Sequence, residues 1–272
     1  MRRLYPDVVI EIIRSLPSYR NLDFLELGCG DGYMLEALSK EGVKAVGTTY
    51  LDKTTDYIRS RDHPENIHVR SGIDLNRPLP FADAAFDVVY SMEVIEHIEK
   101  HSNFISEAAR VLRPGGWFIL TTPNLHRLIS RLHFAATGVH LVKERRPPFS
   151  AALERMGEFH IRCPDFPFLH WLMWQSGLRI ARLETEYVHP LSRVALIFSP
   201  LLRPLTARAL RRYEPPDEEV RAPFRDLTRW MNSSMLLASE RICLLARKAA
   251  SATPSPSGPL GARDEDTRSG EA

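Results

Sequence analysis

The stretch Phe24-Leu25-Glu26-Leu27-Gly28-Cys29-Gly30-Asp31-Gly32 most narrows what this chain can fold into. A short apolar run carries an acid two residues before the first of three alternating glycines, and Tyr33 to Leu38 follows with helical spacing. Strand, glycine turn and helix in that order predict the first crossover of an open α/β sheet. Glycine suits such a turn because it takes positive φ and lets a ligand approach the backbone. A dinucleotide fingerprint, G-x-G-x-x-G, would need a glycine at position 33, where the chain has Tyr33. The pattern here is G-x-G-x-G.

The alternation continues. Val8, Val9, Ile12, Ile13 and Leu16 predict a leading helix over residues 5–19, and 43–49, 67–70 and 86–91 read as strands two to four. A helix follows from Asn103 to Leu112, ended by Arg113-Pro114-Gly115-Gly116, and Trp117 to Thr122 reads as strand five. Strand and helix in turn through residue 122 predict a parallel, doubly wound sheet with its ligand edge at the strand C-termini. The rhythm then breaks. Residues 125–170 and 190–235 are expected to cap that edge, with a helix over 168–177 and strands at 178–188 and 240–247. One domain over 1–250 with its core at 20–124 results, and the Ser/Pro/Gly-rich 251–272 reads as a disordered tail.

Composition excludes more than it assigns. The chain has 272 residues, 44% hydrophobic and 26% charged, with a net charge of +2, which suits a sizeable core and gives no case for nucleic acid. Cys29, Cys163 and Cys243 are odd in number and lack metal-ligand spacing, so a reduced, cytoplasmic setting is expected. The start shows no signal-peptide pattern, and no stretch approaches the roughly 18 apolar residues of a membrane span.

The glycine stretch resembles the class I S-adenosylmethionine (SAM)-dependent methyltransferases, and further blocks extend the likeness over residues 22–124: Asp74 in Ser71-Gly72-Ile73-Asp74-Leu75, Leu79-Pro80-Phe81 before Phe86-Asp87-Val88-Val89, Glu93 to Ile98, Val111 to Gly116, and Thr121-Thr122-Pro123-Asn124. In motif style the chain is similar to ubiquinone-biosynthesis O-methyltransferases and glycan-cluster methyltransferases. The resemblance implies a Rossmann-like, doubly wound, seven-stranded sheet with its last strand antiparallel. It also implies SAM as cofactor, held by Glu26, Gly28, Gly30, Asp31, Gly32, Thr49, Asp74 and Ser91. Thr49 departs from the pattern. Many members place there an acid that grips both ribose hydroxyls, and the nearest acid here is Asp52. A threonine hydroxyl offers neither charge nor a bidentate acceptor.

For the acceptor side, Glu93, Glu96 and His97 stand at i, i+3 and i+4 and would share one helix face after strand four. The E-x-x-E-H block resembles one in ubiquinone-biosynthesis and small-RNA 2′-O-methyltransferases, where it implies ligands for magnesium or another divalent cation. The alternatives are a plain helix start, its acids favoured by the positive end, or His97 as a general base. Glu93, His97 and His160 are the catalytic candidates. His126, His133 and His140 also lie in the presumed cap. The expected reaction is methyl transfer to a small-molecule or lipid- or glycan-linked acceptor, at oxygen, with RNA 2′-O-methylation and non-catalytic SAM-fold binding as alternatives. The apolar, arginine-rich segment 193–212 suggests peripheral membrane contact or a helix pair covering the sheet.

Overall fold

Phe24, Leu25 and Leu27 are buried because β1 (Asp23–Leu27) lies inside a seven-stranded sheet. The computed structural model describes residues 5–50, 66–141, 160–186, 188, 190–215 and 217–250. The remaining strands are β2 (Lys44–Thr48), β3 (Ile67–Arg70), β4 (Phe86–Met92), β5 (Leu112–Pro123), β6 (Leu178–Glu184) and β7 (Arg241–Lys248). Their order is β3-β2-β1-β4-β5-β7-β6. All neighbours run parallel except β7, which is antiparallel to both β5 and β6. The expected doubly wound sheet with an antiparallel last strand is therefore present. Strand order reverses between β1 and β4, which puts the ligand crevice of such a sheet beyond their carboxyl ends.

The strands β1, β4, β5 and β7 divide their side chains between two cores. Leu25, Val89, Phe118 and Leu244 face one cluster, whereas Phe24, Val88, Ile119 and Leu245 face the other. α1 (Tyr5–Arg14) and α2 (Tyr33–Ser39) close the second cluster. α3 (His101–Val111) closes the first together with α5 (Phe166–Gln175), while α4 (Leu128–Thr137) follows β5. Beyond β6 come α6 (Pro190–Ala195), a 3-10 turn at Leu196–Phe198, α7 (Ser199–Arg211), α8 (Glu218–Met231) and α9 (Ser234–Ala238). Pro200 sits in the first turn of α7, where its missing N–H costs nothing, and Pro204 lies inside the helix.

Several boundaries differ from the sequence reading. α1 ends at Arg14, and a 3-10 turn at Tyr19–Asn21 leads into β1. The helix ends at Val111, just before Arg113 to Gly116 as expected, but that block already belongs to β5, whose register shifts between the Phe86 and Val88 pairings. A Cβ on Gly116 would lie 2.8 Å from the Asp87 carbonyl oxygen, so the close strand approach there needs glycine. β6 stops at Glu184, and Val188 makes only an isolated bridge to Ser239. Asp52 and the tail 251–272 lie outside the described residues.

Candidate active site

The glycine turn starts at Gly28, with φ +79°, where an added Cβ would meet Val94 Cγ2 at 2.6 Å. Gly30 and Gly32 also have positive φ, and Gly32 caps the start of α2. Buried Thr48 braces the turn from β2. Its Oγ1 donates to the Glu26 carbonyl and accepts from Gly28 N, and its own carbonyl accepts from Cys29 N at 2.8 Å. Asp31 accepts from Tyr33 N, fixing the first turn of α2.

Glu26 is 1% exposed, with Oε2 3.0 Å from the hydroxyl of its register partner Tyr90. Burial pushes its carboxyl up to about 8, although the Tyr90 hydrogen bond works the other way. A buried carboxylate facing the glycine turn gains from a cationic neighbour. Ser91 is also buried and donates to the Leu27 carbonyl, tying β4 to β1 at the same edge.

Thr49 is 8% exposed, its N–H donating to Arg70, and its carbonyl accepts from Ile73 N. That bond draws the loop carrying Asp74 towards the end of β2. Asp74 is part-exposed and turned on its own loop, accepting from Asn76 and pairing with Arg77 Nε at 3.3 Å. Asn76 in turn accepts from Glu99 and Lys100 N–H groups, fixing this loop to the approach to α3.

Glu93, Glu96 and His97 do not share a helix face. Glu93 takes φ +54°, its N–H donating to Thr121, and only Ile95–His97 form a single 3-10 turn. The reversal turns Glu93 towards Arg241, which donates to its Oε2 at 2.6 Å and to Glu186 at 2.6 Å while lying over the Tyr5 ring. Glu96 and His97 instead meet His160. Candidate ligand atoms of these three lie within 4.8 Å of one another, and the two imidazole centroids are 5.0 Å apart. The carbonyl of Glu96 accepts from Ile161 and Arg162 N–H, which brings the His160 segment alongside.

Glu96 is fully buried, with Oε2 accepting from Thr122. Burial first, then the Glu93 charge, raise its carboxyl to about 8, and burial raises Glu93 as well. The second oxygens, Oε1 of Glu93 and of Glu96, are buried with no hydrogen-bond partner among the described residues. The orphaned Oε1 of Glu96 beside two imidazoles makes a donor set suited to a hard or borderline cation, and Glu93 stands outside it.

The cap histidines diverge. Burial lowers His126 to about 4, and its Nε2 has no partner among the described residues. His133 is half-buried and bonded to Val139 O, and His140 bonds Ser130 and stacks on Phe134. Arg127 is buried, bonded to the Leu141 carbonyl and 3.6 Å from Glu240, so it offers no surface charge to a phosphate. Sequence reading did not single out Tyr90, Glu186 or Arg241. Tyr90 was findable, since the parallel register of β1 and β4 sets it opposite Glu26.

Residues 25–120 match the model of a methyltransferase domain family. Over those residues the chain carries a SAM-dependent methyltransferase domain. It is 41% identical over 102 residues to a "Probable S-adenosylmethionine-dependent methyltransferase" of Mycolicibacterium smegmatis, a match covering 38% of each chain. To a ubiquinone biosynthesis O-methyltransferase of Parvibaculum lavamentivorans it is 28% identical over 129 residues, 47% of this chain and 50% of that one. The likeness thus spans half or less of these relatives. A SAM-dependent methyltransferase structure from Mesorhizobium loti shares the fold, with TM-score 0.53 and 15% identity, over 89% of this chain and 97% of that one.

Proposed function

We propose that the protein transfers a methyl group from SAM to the oxygen of a small-molecule or lipid- or glycan-linked hydroxyl acceptor. The observation that carries the reading is the buried Glu26 behind the braced glycine turn, inside the span that matches the family. SAM would supply an electrophilic methyl group on its sulfonium. Gly28, Gly30 and Gly32 would underlie its amino-acid and ribose portions, Glu26 would take the ammonium, Asp74 the adenine amino group, and Thr49 and Ser91 the ribose side. The protein's contribution is then in-line positioning and exclusion of water.

Choice of oxygen is supported by the ubiquinone-type relatives and by the Glu96–His97–His160 group on the acceptor side of the crevice. These three would hold a divalent cation, with the orphaned Oε1 of Glu96 as its buried acceptor. Such an ion lowers the pKa of a bound hydroxyl. Arg241 positions Glu93 by holding its other oxygen.

Calorimetric titration with S-adenosylhomocysteine, with and without magnesium, tests both parts. Binding is expected in both buffers, and magnesium is expected to bind on its own and to lose that binding in Glu96→Gln. Absence of S-adenosylhomocysteine binding in either buffer would overturn the reading in favour of a non-catalytic scaffold. Magnesium heats unchanged by Glu96→Gln would remove the cation from it.

A further inference from the structure

The chain has 34 acidic residues, yet none falls within 125–141 or 187–213, which together carry Arg193, Arg203, Arg208, Arg211 and Arg212 besides the buried Arg127 and the half-buried Arg131. The structure brings these two segments together, because α4 packs against α6. Both follow strands whose carboxyl ends lie at the same sheet edge, since β5 and β6 each run antiparallel to β7 with Thr121 and Glu184 both opposite Cys243.

That surface is apolar as well as basic. Around α6, the 3-10 turn and α7, Val194, Ile197, Phe198, Leu201 and Leu205 are each between 55% and 73% exposed. On and just after α4, Leu132, Phe134, Val139 and Leu141 are 40% to 51% exposed. Large side chains clustered in this way exceed what a solvated helix pair leaves outside. Arg193, Arg208, Arg211 and Arg212 are exposed, and none has a carboxylate partner among the described residues. Arg203 differs, its guanidinium donating to Ser234. A second copy meeting this face symmetrically would set arginine against arginine. An anionic lipid surface instead offers both apolar depth and opposite charge.

We propose that α4 and the α6–α7 segment form a docking face for an anionic bilayer, next to the crevice at the strand carboxyl ends. The inference rests on exposure and charge, and does not depend on the methyl-transfer reading. It supplies that reading with a source of acceptor, a hydroxyl held at the membrane surface.

The test is co-sedimentation of the full chain with phosphatidylcholine vesicles and with vesicles also containing phosphatidylglycerol. Association with the anionic vesicles is expected, weakening as salt is raised. Each of Arg208→Gln, Arg211→Gln and Arg212→Gln is expected to lower the partition coefficient about fivefold. Phe198→Ser is expected to lower it roughly tenfold or more with the melting temperature unchanged. Failure to sediment with anionic vesicles, or equal sedimentation of all variants, would overturn the proposal. So would a concentration-dependent dimer abolished by Phe198→Ser in a protein that ignores vesicles, which would assign the face to a second copy.

Discussion

Glu26 shows how a single buried residue sets the pH dependence of folding. Its carboxyl is ordinarily half-protonated near 4.5 and here near 8, because burial penalises the charge. Between those values the folded protein holds a proton that the unfolded chain has released, so stability falls as pH rises through the window. The penalty is complete above about 8 and absent below about 4.5. Glu26→Gln keeps an acceptor for the Tyr90 hydroxyl and removes the charge. We expect it to melt higher than wild type above pH 8, with the two proteins converging towards acid, in thermal denaturation scans. The same substitution should weaken S-adenosylhomocysteine binding roughly tenfold or more, the loss of a charge-assisted hydrogen bond. Glu26 was legible because it lies within a local motif. The Glu96–His97–His160 group was only half legible, because i, i+3, i+4 spacing predicts a shared face only on a continuous helix. A positive φ at Glu93 breaks that premise, and His160 arrives from a distant segment through backbone bonds to Glu96.

At the scale of elements, the end of β5 is held by Asn124. Its buried Nδ2 donates to the carbonyls of Leu236 at 2.7 Å and Ser239 at 2.9 Å, and its Oδ1 accepts from His126 N. One side chain thus anchors α9 and the entry to β7 against the strand that carries Thr121 and Thr122. Asn124→Ala would leave two buried carbonyls without this donor, at about 1–3 kcal/mol each by ordinary desolvation costs. We expect the unfolding free energy from chemical denaturation to fall by about 2–6 kcal/mol, with hydrogen exchange in 234–245 accelerated more than in β1. The Thr-Thr-Pro-Asn block was recognisable in sequence, but its partners lie more than a hundred residues downstream, where no local periodicity points to them. Strand content was legible for the opposite reason: β1, β4 and β7 are buried on both faces and read as near-continuous apolar runs. β6, at the sheet edge with an exposed Ala181, lacked a sharp end in sequence and stops earlier than expected.

For the whole molecule, the topology gathers the glycine turn after β1, Thr49 after β2, Glu93 and Glu96 after β4 and Arg241 at the start of β7 along one edge. That edge is expensive to maintain without ligand, since Glu26, Glu93 and Glu96 all carry pKa values raised by burial. A cationic ligand that binds only the folded chain offsets part of this cost. At a hundredfold excess over its dissociation constant, S-adenosylhomocysteine should stabilise the fold by about 2.7 kcal/mol. For a domain of this size the corresponding rise in melting temperature is about 5–10 °C. The rise should depend on pH in a defined direction. Below about 8 the apo protein must release the Glu26 proton before the ligand's ammonium can pair with the carboxylate, so affinity climbs as pH approaches 8. Differential scanning fluorimetry across that range should show the ligand-induced shift growing with pH in wild type and flat in Glu26→Gln. A shift of equal size at every pH in both proteins would mean that the ligand's ammonium does not contact Glu26.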